Sequence, residues 1–228
     1  MRVFECPLCY KISSGKSSSS HILRKCTKFQ NYKQNLTKTN YIGSKLNLSD
    51  SIGFCSAGII PWFVDSLGAI HLLGLYETRD STIKINFVGG GREGNMSRLK
   101  QSVRMETPTQ TALGEFSEEM GQMVESPELL NSIRECLIRK LRLNKYKTMW
   151  ISSSKMVYYL VQVPKFISNE IPGKLFNEKQ AQSYCKTVGF EWFKLNELTN
   201  VNNKYNQVHE FTKPIVKLLE NNQNEIFV

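Results

Sequence analysis

The alternation of apolar and polar positions changes rhythm several times along the chain. Residues 1–50 show little apolar periodicity and are rich in Ser, Asn and Lys, with the run Ser17-Ser18-Ser19-Ser20 predicting a loop. The pattern turns globular from Ser51 onward. Residues 54–64 (FCSAGIIPWFV) are almost continuously apolar and predict a buried strand, while Pro61, lacking an N–H, predicts a bulge or an edge position within it. Ser66-Leu67-Gly68 predicts a turn, and residues 69–76 (AIHLLGLY) its hairpin partner. Residues 83–88 (IKINFV) alternate as a third strand that Gly89-Gly90-Gly91 would end, and a polar, basic stretch follows to Arg104. Helical spacing predicts helices over 107–120, 128–145 and 209–221, the last with Phe211, Ile215, Leu218 and Leu219 on one side. Residues 156–163 (MVYYLVQV) and 189–193 (GFEWF) predict further strands. Strands and helices mix without a regular βαβ rhythm and without an internal repeat, which predicts an α/β or α+β sandwich around a mixed sheet.

Length and composition narrow this only a little. The 228 residues suit one domain with a small appendage, divided here as a basic segment over 1–50 and a globular domain over 51–228. No run approaches the roughly 18 apolar residues of a membrane span, and residues 1–10 hold no apolar stretch of signal-peptide length. The expectation is an intracellular protein that needs no membrane. Charge adds more. Residues 1–50 hold nine Lys/Arg against two acidic residues, so they carry +7 of the formal +10. A second basic cluster, Arg134, Arg139, Lys140, Arg142, Lys145 and Lys147, lies on and after the middle helix. Such an excess concentrates phosphates or RNA near a surface, although solvated basic faces also serve solubility alone.

The chemistry is concentrated in residues 106–121 (ETPTQTALGEFSEEMG). Thr107 with Gln110 forms a capping box, Pro108 suits the first helical position, and Gly121 suits a left-handed residue after the last turn. On that helix Glu115, Glu118 and Glu119 stand at i, i+3 and i+4 and share one face. Like charges so close destabilise a bare helix, and a hard divalent cation between them reverses the cost. An ordinary solvated acidic face is the plainer alternative for the triplet taken by itself.

In its spacing the segment resembles the Nudix box: a Gly-rich stretch, a Glu, seven residues, then R-E-U-x-E-E-x-G-U, where U is bulky and apolar. Glu106 matches the first Glu, and Glu115, Phe116, Glu118, Glu119 and Gly121 match the second part in register. Gly89-Gly90-Gly91 with Glu93 resembles the usual G-G-x-x-E lead-in, and residues 191–198 (EWFKLNEL) resemble a later W-x-x-L-x-E-L stretch. The sequence departs from the pattern at Gly114, where the box has Arg, at Gln122, where it has an apolar residue, and in the length of the stretch from Gly94 to Met105. The resemblance implies an α/β/α sandwich with a mixed sheet. It implies Glu115, Glu118 and Glu119 as ligands of Mg²⁺ or Mn²⁺, with Glu118 or Glu119 helping to deprotonate water. It further implies Gly90, Gly91 and Arg92 near the substrate phosphates, and Glu210, in a loop before the last helix, as an alternative general base. The Arg missing at Gly114 orients a Glu in the family, so Arg92 or Arg104 would have to take over that task.

Cys6, Cys9, His21 and Cys26 are spaced C-x2-C-x11-H-x4-C, close to zinc-ligand spacing. Ser13 and Ser18 occupy the apolar positions of a base-reading finger, so the spacing points to a zinc ribbon or knuckle, with reduced free thiols as the alternative. The C-x2-C ahead of this box is also similar to the Nudix proteins of insect baculoviruses, regarded as ADP-ribose pyrophosphatases; that likeness implies the cytoplasm or nucleus of a host cell. Substrates left open are a nucleoside diphosphate derivative of the ADP-ribose type and the cap of an mRNA. A non-catalytic RNA-binding scaffold is the third reading, which the Gly114 departure permits.

Overall fold

The computed structural model describes residues 3–5, 12–14, 26–79, 82–92, 94–96, 103–121, 127–164, 174–176, 187–200 and 202–227. In chain order the strands are β1 Val3–Glu5, β2 Ile12–Ser14, β3 Tyr41–Gly43, β4 Ser56–Val64, β5 Ile70–Arg79, β6 Thr82–Asn86 and β7 Gly89–Gly91. There follow β8 Gly94–Met96, β9 Val103–Met105, β10 Lys147–Ile151, β11 Met156–Gln162, β12 Lys174–Phe176 and β13 Thr187–Lys194. The helices are α1 Thr27–Gln34, α2 Leu48–Gly53, α3 Pro108–Gly121, α4 Pro127–Arg142, α5 Leu195–Thr199, α6 Lys213–Asn221 and α7 Gln223–Ile226.

Among the described residues, nine strands form one mixed sheet in the order β12-β13-β5-β4-β11-β10-β3, with β6 beside β5 and β7 beside β4. The β4–β11 pair is parallel and the others are antiparallel. Period-two alternation sorts the side chains into two cores. Ala57, Ile59, Leu73, Leu75, Val157 and Tyr159 face Ala112, Phe116, Met120, Ile133 and Leu137 of α3 and α4. Ile60, Trp62, Leu72, Leu160 and Met149 face Leu195, Leu198, Ile215, Val216 and Leu219 of α5 and α6. Helices therefore cover both faces, and the expected α/β/α sandwich with a mixed sheet is the arrangement found. No helix among the described residues is long and apolar enough to cross a membrane.

Pro61 lies inside an interior strand rather than at an edge or bulge, and β4's change of partner explains why it is tolerated. Residues 56–58 of β4 pair with β7 and residues 62–64 with β5, leaving Pro61 between them. Ile59 N–H points to that side, donating to Val88 O at 3.2 Å, and Trp62 O points to the other, accepting from Val163 N at 2.8 Å. Alternation puts the missing N–H of Pro61 at the gap, where no ladder bond is lost.

Other expectations shift at their edges. Gly89-Gly90-Gly91 does not end a strand but forms one, because a glycine strand can come close to β4 at Gly58. Part of the polar stretch before Arg104 pairs as the β8–β9 hairpin. Gly121 stays helical, 3.4 Å from Leu130 for an added Cβ; the described glycine with positive φ is Gly68, at 81° in the β4–β5 turn. The final helix begins at Lys213 with Pro214 in its first turn, so Phe211 lies outside it and is exposed. Lys147–Ile151 and Tyr41–Gly43 are strands that apolar rhythm alone did not mark.

Residues 26–53 are docked on the β10 edge. Trp150 Nε1 donates to Thr37 O at 2.8 Å, and Ser152 N and Oγ both donate to Asn40 Oδ1 at 2.9 Å. Buried Asp50 organises this segment, accepting from Thr37 N at 2.8 Å and Tyr41 OH at 3.0 Å. The expected division at 50/51 falls inside α2. Burial, with Asp50 beside it, pushes the Tyr41 phenol up to about 12, so it stays a donor. Asp50→Ala strands both donors and is expected to cost roughly 2–4 kcal/mol, read by urea denaturation.

Candidate functional site

The first turn of α3 is built as its sequence reads. Thr107 N donates to Gln110 Oε1 at 2.9 Å and Gln110 N to Thr107 Oγ1 at 3.2 Å, closing the capping box. Glu106 lies just ahead of the helix and accepts from Thr111 Oγ1 at 2.9 Å. Arg92 ties this start to the rest of the fold. Its Nε donates to Glu106 O at 2.9 Å and its Nη1 to Ile52 O at 2.7 Å. Its backbone N–H donates to Cys55 O at 2.9 Å, and its guanidinium lies 4.1 Å from the Phe54 ring centroid. Burial pulls Arg92 down to about 10, partly offset by Cys55 and Glu106. Arg92 thus joins α2, β7 and α3 through carbonyls. The side chain of Arg104 lies outside the described residues.

The three glutamates of α3 have different environments. The Glu115 carboxylate lies over the Cα of Gly90, in the space a Cβ on Gly90 would fill. Gly90 is therefore a glycine for Glu115's sake, and Gly91, with open space around it, is exposed. Glu118 is exposed at the solvent side. Glu119 is mostly buried and accepts a hydrogen bond from the Gly89 N–H, while its Oε2 is fully buried without a hydrogen-bond partner. Burial, then the charge of Glu115, pushes Glu119 up to about 8 against the Gly89 N–H; Glu77 and Glu118 add to the rise. Gly114 is exposed, and a Cβ there would meet nothing within 4 Å. The position where the box carries Arg is thus open, while the Glu115 carboxylate lies against Gly90.

Glu77 is the residue that sequence reading missed. It comes from β5, close enough to Glu119 and to the fully buried Tyr158 for its charge to act on both. Asn86 Nδ2 holds Glu77 Oε2 at 2.9 Å, and Asn86 Oδ1 accepts from Thr212 Oγ1 at 2.6 Å. A signal existed: alternation puts Glu77 on the same strand face as buried Leu73 and Leu75. Burial, then Glu119 and Glu77, raises the Tyr158 phenol, so it is a neutral wall behind the carboxylates.

Other expected residues lie elsewhere. Glu210 is exposed, its Oε1 bound by Lys213 Nζ at 2.6 Å; that hydrogen bond lowers its pKa, with Lys84 and His209 adding to the effect. Its described partners are thus Lys213, Lys84 and His209, not the α3 glutamates. Cys26 is buried and caps α1, its Sγ accepting from Phe29 N at 3.4 Å, whereas Cys6, Cys9 and His21 lie outside the described residues.

Among the described residues no group of three or more His, Cys, Asp or Glu side chains is placed to hold a metal ion. Glu115, Glu77 and Glu118 lie near enough for their charges to act on Glu119, without converging on one point. Mg²⁺ or Mn²⁺ would need only a few such carboxylates, with water and phosphate oxygens in the remaining positions. The orphaned, buried Oε2 of Glu119 is the donor such an ion would use.

No family model matches the sequence, and no curated protein matches it. In three dimensions the chain is similar to Nudix hydrolases at low sequence identity. It aligns with the Nudix hydrolase RenU of M. smegmatis at TM-score 0.39 and 11% identity, over 76% of this chain and 88% of that one. It aligns with a C. elegans Ap4A hydrolase in a binary complex at TM-score 0.37 and 13% identity, over 76% of this chain and 99% of that one.

Two outcomes are expected. Unfolded, Glu119 ionises near 4.5; folded and metal-free, it keeps its proton to about 8. The native state thus holds the extra proton between those values, and stability in EDTA falls as pH rises through this window, by on the order of 3 kcal/mol. Melting curves from pH 4.5 to 8 should show the fall in wild type and its loss in Glu119→Gln. Gly114→Ala should raise stability by up to about 1 kcal/mol in the same assay, because the site is helical and unobstructed.

Proposed function

We propose that the chain is a divalent-metal-dependent pyrophosphohydrolase of Nudix type, cleaving the diphosphate linkage of a nucleoside diphosphate derivative. The observation that carries this reading is the buried, partnerless Oε2 of Glu119 amid Glu115, Glu118 and Glu77, on a helix whose box spacing is intact. A bare cluster of this kind stores repulsion, which a divalent cation would relieve. Glu115, Glu119 and Glu118 are the residues assigned to hold it, with Glu77 behind them. When bound, Mg²⁺ or Mn²⁺ supplies a Lewis acid that polarises phosphoryl oxygens and makes a nearby water more acidic.

The side chains divide the remaining work. Glu115 is oriented by its seat on Gly90, and Glu119 by the Gly89 N–H. Glu118, open to solvent, is assigned to receive the proton of the attacking water at its carboxylate. The water oxygen bonds to one phosphorus, the bridging P–O bond breaks, and two phosphomonoesters leave. Glu210 is the alternative proton acceptor, at the cost of breaking its bond to Lys213. The presence of Glu115, Glu118 and Glu119 together favours an enzyme over a non-catalytic scaffold.

Purified protein incubated with ADP-ribose and with capped RNA, side by side, is expected to release phosphomonoester products from one of them. EDTA should abolish the release and Mg²⁺ or Mn²⁺ restore it. Glu118→Gln and Glu119→Gln should each reduce turnover by about 100-fold or more while retaining cooperative melting. Full turnover in either variant, or in EDTA, overturns the reading.

A further inference from the structure

Beside the β10 edge lies an open cleft of about 340 Å³ lined by Lys33, Thr37, Lys38, Ser152, Ser153 and Lys155. It is lined, among the described residues, by three lysines and several hydroxyls and by no carboxylate. Among the described residues none of these lysines forms an ion pair. Lys33 lies 5.5 Å from the Phe29 ring centroid, a contact that leaves its charge uncompensated. Nearby Asp50 is fully buried and spends its carboxylate on Thr37 N and Tyr41 OH. The floor is firm, because Asn40 clamps Ser152 and Thr37 O anchors Trp150. Mutually repelling lysines around a rigid, acid-free cleft favour an anionic occupant.

The cleft's position says which anion. Lys155 O accepts from Cys55 N at 2.9 Å, and Cys55 O accepts from Arg92 N at 2.9 Å. Across the sheet, Gly91 is opposite Ser56, and Ser56 opposite Met156, the residue after Lys155. Two strand spacings, roughly 10 Å, therefore separate β7, with Glu115 on Gly90, from the rim of the cleft. Both lie at the same end of β4. A free nucleotide engaged at Glu115 would not need the lysines, whereas a longer chain of phosphates leaving that site reaches them. A cleft of about 340 Å³ has room for the backbone of one strand, and hydroxyls beside ammonium groups suit a sugar–phosphate backbone.

We propose that this cleft binds the phosphodiester backbone of a single-stranded polynucleotide whose terminal diphosphate lies at α3. The proposal rests on reading α3 as a diphosphate hydrolase, and it names the substrate class for that site. The cleft's own contribution is binding, so it can be tested without turnover.

The full-length chain is titrated in EDTA against a fluorescein-labelled single-stranded RNA of about 15 nucleotides, at several salt concentrations. A DNA of the same sequence, a duplex RNA and a poly-glutamate competitor serve as further arms. In wild type, single-stranded RNA should bind more tightly than duplex, and poly-glutamate should not displace it. RNA tighter than DNA assigns the hydroxyls to the 2′-OH; equal binding assigns the cleft to the shared backbone. The triple variant Lys33→Gln/Lys38→Gln/Lys155→Gln should weaken binding by roughly 30-fold at low salt and lower the salt slope by about 2, since each single-strand phosphate contact contributes about 0.7. Lys38→Glu alone, at an exposed position, should give a loss of roughly tenfold and serves if the triple variant melts early. Wild-type affinity and slope in both variants overturn the proposal. So does displacement by poly-glutamate, or loss only in Arg139→Gln/Arg142→Gln on α4. Binding lost in the cleft variants, with no hydrolysis of any diphosphate, would leave the cleft standing and remove the hydrolase reading.

Discussion

Everything at the site depends on how closely α3 can approach β7. Gly90 has no side chain, and the carboxylate of Glu115 occupies the space where one would be. Gly89 on the same strand lies against Gly58 of β4 and offers its N–H to Glu119. A glycine strand therefore lets a helix bring two carboxylates onto a backbone edge. Bulkier residues there would push α3 away from the sheet and separate the carboxylates from Glu77. The contact also sets the electrostatics, because it buries most of Glu119 beside Glu115.

This constraint explains features that look unrelated in the primary structure. β4 must change partners from β7 to β5 so that a short glycine strand can intervene, and Pro61 falls at the change. Arg92 leaves β7 and holds the carbonyls of Ile52 and Glu106, so the end of α2 and the start of α3 are pinned by one guanidinium. The same end of β4 then carries the segment around Asp50 and the basic cleft. The cleft and the carboxylates are thus linked through adjacent backbone hydrogen bonds.

The carboxylate cluster also sets stability against chemistry. Four glutamates with one partnerless oxygen cost the metal-free fold something, and a neutral Glu119 is how it bears that cost. A mostly buried carboxyl beside other glutamates is held by packing elsewhere, here the two cores on opposite faces of the sheet. Tyr158, fully buried near Glu119 and Glu77, stays neutral.

The primary structure by itself determined the elements that depend on near neighbours. The capping box of Thr107 and Gln110, the i, i+3, i+4 face of Glu115, Glu118 and Glu119, and the apolar runs of β4, β5 and β11 are all local periodicities, and each was legible. The tertiary structure decided what depends on residues far apart. Glu77 joins the site from a strand some forty positions earlier, and only pairing with β6 and packing against α3 bring it there. Gly89-Gly90-Gly91 read as a terminator because glycine is a poor strand former, yet the close approach of Gly58 and Glu115 makes it a strand. Glu210 precedes the last helix as its place in the sequence shows, and the tertiary structure adds its hydrogen bond from Lys213. Residues 26–50 read as an appendage because they lack apolar rhythm. They are held on the β10 edge by hydrogen bonds to Trp150 and Ser152 and organised internally by Asp50, which no periodicity announces.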